Sequence, residues 1–270
     1  MLTYAQHYDK CRQNASFKSS ELSSYSSVYD LTLDTNFLNV DPNFNNLVKQ
    51  VAQKVSHKID NDDGCWHGSE FVTYLNEWRD INELNDLVNI FMPKLEQEVF
   101  YCNAQIEFVM PYRNSFHTGD PLASWLWHYD DCPREFIKFA VYLSDTYEDN
   151  GCFQYFVDPN EKPIVLPTFR EAPNRPISKQ YFAGSRVPPE LIKNSIDQGC
   201  KIKSLVGPPG THLLFTPNAI HRATSPKPNT KPREAIFFFI RPSLKKYDSY
   251  LNEAVNSVLP KRNVKQYELN

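Results

Sequence analysis

Glycine is scarce in this sequence, at 8 of 270 residues, which argues against the Gly-rich loops that cradle nucleotide phosphates. No stretch approaches the ~20 apolar residues of a membrane helix, and Met1-Leu2-Thr3-Tyr4-Ala5-Gln6-His7 lacks the apolar core of a signal peptide. A soluble, cytoplasmic protein with no membrane partner is expected. Neither sign of charge dominates: 29 Lys+Arg against 32 Asp+Glu give a net charge of −3, so nucleic acid is not expected as a partner. Six cysteines (Cys11, Cys65, Cys102, Cys132, Cys152 and Cys200) include no C-x-x-C pair. That excludes a zinc ribbon and a dithiol redox motif, and reduced thiols are expected.

What is present is apolar and aromatic. Hydrophobic residues make up 41% and aromatics 14%, enough to bury a large core, and 20 prolines punctuate the chain. Phe44, Leu47, Val48, Val51 and Val55 recur at helical spacing behind the start signal Asp41-Pro42, and residues 84–99 repeat the pattern with Pro93 as a kink or break. From about residue 103 the pattern changes to short apolar runs, at 105–110, 124–128, 137–143, 152–157, 201–206, 211–215, 219–222 and 234–240. Eight short strands with hairpin-sized gaps suit a two-sheet jelly roll. The expected class is α+β, mainly β: a double-stranded β-helix, cupin-like, with N-terminal packing helices. One domain over 1–270 is expected, with a helical flank at 1–102, the jelly-roll core at 103–243, and a helix or tail at 244–270. The proline-rich stretch 158–200 reads as a lid inserted between core strands, because proline cannot donate to a ladder.

The run Trp125-Leu126-Trp127-His128-Tyr129-Asp130 places His128 and Asp130 two positions apart, so on a strand both side chains face one way. His221 lies in a later strand of the same set. Two histidines and a carboxylate on one face of an open site form the ligand set of non-haem Fe(II) oxygenases. Asp131 would face the opposite side, in solvent or a turn. His212 could supply a third imidazole for a zinc site, although a histidine in an apolar strand is more often structural. Arg233 opens the most apolar strand in the chain, where an unpaired guanidinium is costly, and a bound anion would account for it. Arg241 and Arg222 compete less well, the first ending the strand and the second turned away from His221 by alternation.

Three segments in succession carry a family resemblance: Trp127-His128-Tyr129-Asp130, Phe139-Ala140-Val141-Tyr142-Leu143-Ser144-Asp145 and Asp149-Asn150-Gly151-Cys152-Phe153. With Pro209-Gly210-Thr211-His212-Leu213-Leu214-Phe215, His221 and Pro232-Arg233-Glu234-Ala235-Ile236, the chain over roughly 103–243 resembles phytanoyl-CoA dioxygenase-like enzymes. The resemblance implies an Fe(II)- and 2-oxoglutarate-dependent dioxygenase that uses O2 and hydroxylates a small molecule. His128, Asp130 and His221 would hold the metal, and Arg233, twelve positions after His221, would hold the far carboxylate of 2-oxoglutarate. These enzymes often carry a serine two residues after the distal histidine, where this chain has Ala223. Thr224, Ser225 or Tyr142 could take that part. The presence of Asp130 argues against halogenation, since related halogenases lack the carboxylate. Residues 160–205 hold eight basic against four acidic residues, which would favour an anionic substrate. A cupin-like metal enzyme that needs no oxoacid, or a catalytically silent binding module, are the other readings of the same pattern. Oligomeric state is left open by the sequence.

Overall fold

A computed structural model describes residues 3–15, 25–38, 42–69, 71–121, 123–167 and 186–256. Helix α1 (Tyr4–Asn14) opens on a reciprocal cap in which the Gln6 amide donates to Thr3 Oγ1 and the Thr3 amide to Gln6 Oε1. Helix α2 (Pro42–Asp60) contains the apolar stripe expected at 44–55, with proline at a first-turn position where no amide hydrogen is missed. Helix α3 (Glu83–Leu95) runs through Pro93 without breaking there. It widens into a π-helical turn at Glu96–Phe100 and stops at Tyr101, which takes a left-handed φ of 54°. Proline this close to a helix end frees few carbonyls, so the ladder adjusts after it instead of ending before it.

Eleven strands follow the chain: β1 (Leu33–Asp34), β2 (Cys65–Ser69), β3 (Val72–Leu75), β4 (Ala104–Asn114), β5 (Ile137–Tyr142), β6 (Phe153–Val157), β7 (Lys201–Leu205), β8 (His212–Phe215), β9 (His221–Ala223), β10 (Arg233–Pro242) and β11 (Val255–Asn256). The large sheet has the order β1-β8-β5-β10-β4-β3-β2, with β11 added parallel to β4; the small sheet is β7-β6-β9. This is the jelly-roll architecture expected. Strand β10 sits mid-sheet between β4 and β5, buried on both faces, which is why residues 235–240 form an unbroken apolar run. Alternation divides it. Ile236, Phe238 and Ile240 pack toward α2 and α3 with Phe91 and Phe139, while Ala235 and Phe237 join Phe153, Phe215 and Tyr112 between the sheets.

Four expectations need correction. The first hundred residues are not only helical, since β1, β2 and β3 extend the large sheet; β3 pairs Val72 with Asn114 and Tyr74 with Tyr112. The run 124–128 is not a strand: Ala123–Trp125 forms a 3-10 turn, and His128 makes only isolated bridges, to His221 and Arg186. The proline-rich excursion is partly woven into the structure. Ile164 and Leu166 donate their amides to Phe156 and Asn218, and Ile220 donates to Ile164, so the residues between Pro163 and Pro167 supply the N–H groups that proline lacks. Val187 and Ile192, the latter on α4 (Pro189–Asp197), close a cluster with Trp127, Tyr129, Phe156 and Ile220. Residues 168–185 of the proposed lid lie outside the described residues. At the other end, residues 244–256 hold no helix among the described residues; β11 pairs Val255 with Phe108 on β4 instead.

Candidate metal centre

His128 and His221 are joined through their backbones, each amide donating to the other's carbonyl, at 3.0 and 2.9 Å. The chain then leaves the bridge. The Asp130 amide donates to the Pro217 carbonyl at 3.0 Å, and Asp131 takes a left-handed φ of 49°. Asn218 fixes the turn, accepting from the Cys132 amide at 3.0 Å and donating to the Cys132 carbonyl at 2.7 Å. His128 and Asp130 therefore converge through a bridge and a clamped turn, not through strand alternation. Asp131 occupies the turn expected of it.

The three side chains meet. Nε2 of His128 lies 3.9 Å from Asp130 Oδ1, Nε2 of His221 lies 3.6 Å from Oδ2, and one ligand atom from each residue falls within 4.8 Å of the others. Among the described residues this is the one such group of His, Cys, Asp and Glu. Each histidine turns Nδ1 to the carbonyl two residues back, at 2.8 Å to Leu126 and 2.7 Å to Ala219. A carbonyl only accepts, so Nδ1 carries the proton and the Nε2 lone pair is left facing the cavity. Burial reinforces that state: it pulls His221 down to about 3, aided by His128, and also lowers His128. Burial opposes the charge of Asp130, but Lys138, His221 and His128 together outweigh it and hold the carboxyl below its usual range. Two neutral imidazoles and one carboxylate on one side of a cavity match the donor set that suits a divalent non-haem iron with open positions. Phe153 stacks on the His221 ring at 5.2 Å and fixes its plane.

The triad lines a cavity of about 230 Å³ between the sheets, with Arg233, Tyr112, Lys138, Phe237 and Phe239 among its walls. Arg233 is 1% exposed. Its Nη2 donates to Tyr112 Oη at 2.7 Å, its Nε meets no acceptor, and among the described residues no carboxylate pairs with it. Arg241 instead pairs with Glu107, and Arg222 donates to Gln154 at 2.9 Å while lying over the Trp127 ring. Tyr142 faces Arg233 with its ring, at 5.9 Å, but its hydroxyl donates to the Leu205 carbonyl and accepts from the Phe153 amide. Thr224 points its hydroxyl at the Glu148 and Cys152 carbonyls, both at 3.4 Å, and is not among the cavity walls. His212 is structural: Nε2 accepts from the Leu38 amide at 3.1 Å and Nδ1 donates to the Gly210 carbonyl at 3.0 Å.

Tyr112 and Lys138 are cavity residues that the sequence reading did not single out. Lys138 carries a usable signal, a cation inside the otherwise apolar run Ile137-Lys138-Phe139-Ala140-Val141-Tyr142, whereas Tyr112 carries none beyond its place on a strand.

No family model matches the chain, and no curated protein matches it. Solved structures do. The non-heme alpha ketoglutarate dependent epimerase SnoN from nogalamycin biosynthesis is 11% identical, with 87% of this chain and 83% of that chain covered and a TM-score of 0.53. The same epimerase in complex with Fe3+, alpha ketoglutarate and nogalamycin RO gives the same identity and coverage at 0.52. EctD from S. alaskensis with 2-oxoglutarate and 5-hydroxyectoine is 13% identical over 84% and 79%, at 0.47. At this identity the likeness to the epimerase is one of fold, and it agrees with the jelly roll described above.

Proposed function

We propose that this protein is a phytanoyl-CoA dioxygenase-like, Fe(II)- and 2-oxoglutarate-dependent oxygenase, with residues 1–270 forming one domain that hydroxylates a small molecule in the cytoplasm. The observation that carries this reading is the pairing of two features in one cavity: an open His-Asp-His set, and a buried arginine that no carboxylate among the described residues neutralises. His128, Asp130 and His221 would hold the iron. Arg233 would take the far carboxylate of 2-oxoglutarate, with the Tyr112 hydroxyl fixing the guanidinium plane. The Tyr142 ring shields that end from water, and Thr224 supports the wall behind Ala223. When bound, iron, 2-oxoglutarate and O2 supply the oxidising power, and 2-oxoglutarate leaves as succinate and CO2.

The chain's own part is positional. The Nδ1–H bonds to Leu126 and Ala219 keep both Nε2 atoms available and aimed inward. The aromatic walls at Phe153, Phe237 and Phe239 exclude water from the reacting centre. The woven excursion, with Ile164, Leu166 and Val187 packed beside Trp127, covers the outer side of the small sheet and carries the chain toward the triad at Arg186, which bridges His128. All six cysteines are thiols, which fits a reducing compartment. Incubation with Fe(II), ascorbate, 2-oxoglutarate and a metabolite extract should yield succinate and a product heavier by one oxygen. Metal binding without succinate would point to a cupin-like enzyme that uses no oxoacid. A product of unchanged mass formed alongside succinate would replace hydroxylation with another oxidative outcome.

A further inference from the structure

One charged wall of the cavity has no part in that chemistry. Lys138 is the second residue of β5, its side chain 7% exposed, between its cross-strand partners Phe215 and Phe239. Its ammonium stands 4.4 Å from the centre of the Phe239 ring and 5.9 Å from those of Phe215 and Phe237. A cation held among three phenylalanines needs an anion. The oxygen it reaches is Asp130 Oδ2, at 2.5 Å. That carboxylate is claimed twice, because it is also the single anion of the proposed metal set, and His221 approaches the same oxygen at 3.6 Å. An ammonium has three hydrogens to donate, and Asp130 takes one.

Position separates this cation from the other one. Arg233 and Phe239 face the cavity from β10 six residues apart, roughly 20 Å along the strand, and Phe239 pairs with Lys138 while Arg233 pairs with Asn114 at the far end. Arg233 serves the co-substrate end. Lys138 stands at the other, where Met110 and Phe239 are half-buried. The charges point the same way. Lys138, Arg233 and a divalent metal outweigh Asp130 and the two carboxylates of 2-oxoglutarate, and Arg186, beside His128 and within the field of Asp130, adds to that positive excess, so the cavity favours an anion.

We infer that Lys138 is a substrate-binding residue that takes a single carboxylate on an otherwise apolar molecule lying against Met110, Phe237 and Phe239. The inference rests on the oxygenase reading. In the metal-free protein Asp130 occupies the place of that carboxylate; with Asp130 drawn to the metal, the ammonium turns its remaining donors to the substrate. An ammonium with donors to spare beside aromatic walls suits one carboxylate on an apolar body.

Calorimetry on the full chain tests this in steps: Fe(II) without oxygen, then 2-oxoglutarate, then 3-phenylpropanoate or its neutral amide. The loaded wild type is expected to bind the acid about tenfold more tightly than the amide, the worth of a charge-assisted hydrogen bond. Lys138→Met should bind Fe(II) and 2-oxoglutarate as before and show no preference for the acid, and Lys138→Arg should keep the preference. A preference that survives Lys138→Met overturns the inference. So does a wild type that takes neither probe. A Lys138→Met variant that loses Fe(II) affinity overturns it as well, since Lys138 would then be a positioning residue for Asp130. Failure of the wild type at the Fe(II) or 2-oxoglutarate step would instead sink the oxygenase reading, and is seen before any probe is added.

Discussion

Strand β10 presents two faces built from one apolar run, and they do opposite work. Toward α2 and α3, Ile236, Phe238 and Ile240 pack into the large apolar cluster, with Phe91 and Phe238 at 5.0 Å between ring centres. Toward the small sheet, Arg233, Phe237 and Phe239 line a cavity that also holds Asp130 and Lys138. The helix face satisfies itself. The cavity face holds a guanidinium with an orphan nitrogen and a carboxylate shared between a lysine and two imidazoles, an arrangement that costs stability and is complete only when ligands are present. Changes on the first face should therefore cost folding, and changes on the second should cost binding.

The largest effect tests the cavity face. Asp130→Ala is expected to abolish Fe(II) binding and product formation, since it removes the one anionic ligand, and to lower the melting temperature because Lys138 is left unpaired. Adding Lys138→Met to that variant should restore the melting temperature and not the iron. Calorimetry with Fe(II) and a thermal melt on both proteins check this; retained iron affinity in Asp130→Ala would remove the assignment of ligands. On the helix face, Phe238→Ala should cost about 3–5 kcal/mol of stability, as for a large buried aromatic, while the folded protein still binds Fe(II). Urea denaturation measures the first and calorimetry the second.

Arg233→Met sharpens the contrast because its two consequences have opposite sign. The lost contact to 2-oxoglutarate should weaken co-substrate binding by about 2–5 kcal/mol, while the ligand-free protein becomes no less stable, having shed a buried and unneutralised charge. Titrations in which Arg241→Met, not Arg233→Met, weakened 2-oxoglutarate would show that the wrong arginine had been chosen.

The parts of this division that could be read in the sequence are those written in local periodicity. Helices α2 and α3, and the strands from β4 through β10, announce themselves by apolar spacing, and a cation opening the strand at Arg233 points to a buried anion. Strands β2 and β3 do not, since Trp66-His67-Gly68 interrupts the alternation and their pairing with β4 is a tertiary event. The histidine and aspartate two positions apart are visible as a tripeptide, but the bridge to His221 and the clamp from Asn218 come from 86 residues or more away along the chain. Proline content was a poor guide to the excursion, because pairing there depends on which residues carry an N–H and not on how many lack one. Lys138 holds the same signal as Arg233 from within a strand, where a run of apolar neighbours hides it.

The smallest effect compares histidines across the sheet. On the cavity face His128 and His221 commit one nitrogen each to the backbone and keep the other free, whereas His212, on the helix face with Phe44 and Phe139, commits both. Its Nε2 must accept from the Leu38 amide, so only the neutral ring fits, and burial lowers its pKa from the ordinary 6.5. A lowered histidine means that the unfolded chain takes up the proton first. Stability from His212 is thus full above about pH 6.5 and is lost as pH falls from there toward the lowered folded value. His212→Gln keeps an acceptor for Leu38 and cannot titrate. It should be less stable than wild type by about 1 kcal/mol near pH 7.5, with the gap closing near pH 5.5. The cavity histidines titrate alike in both proteins and cancel from that gap. Urea midpoints at the two pH values measure it, and a gap that stays constant would show that His212 is not held neutral by its two backbone partners.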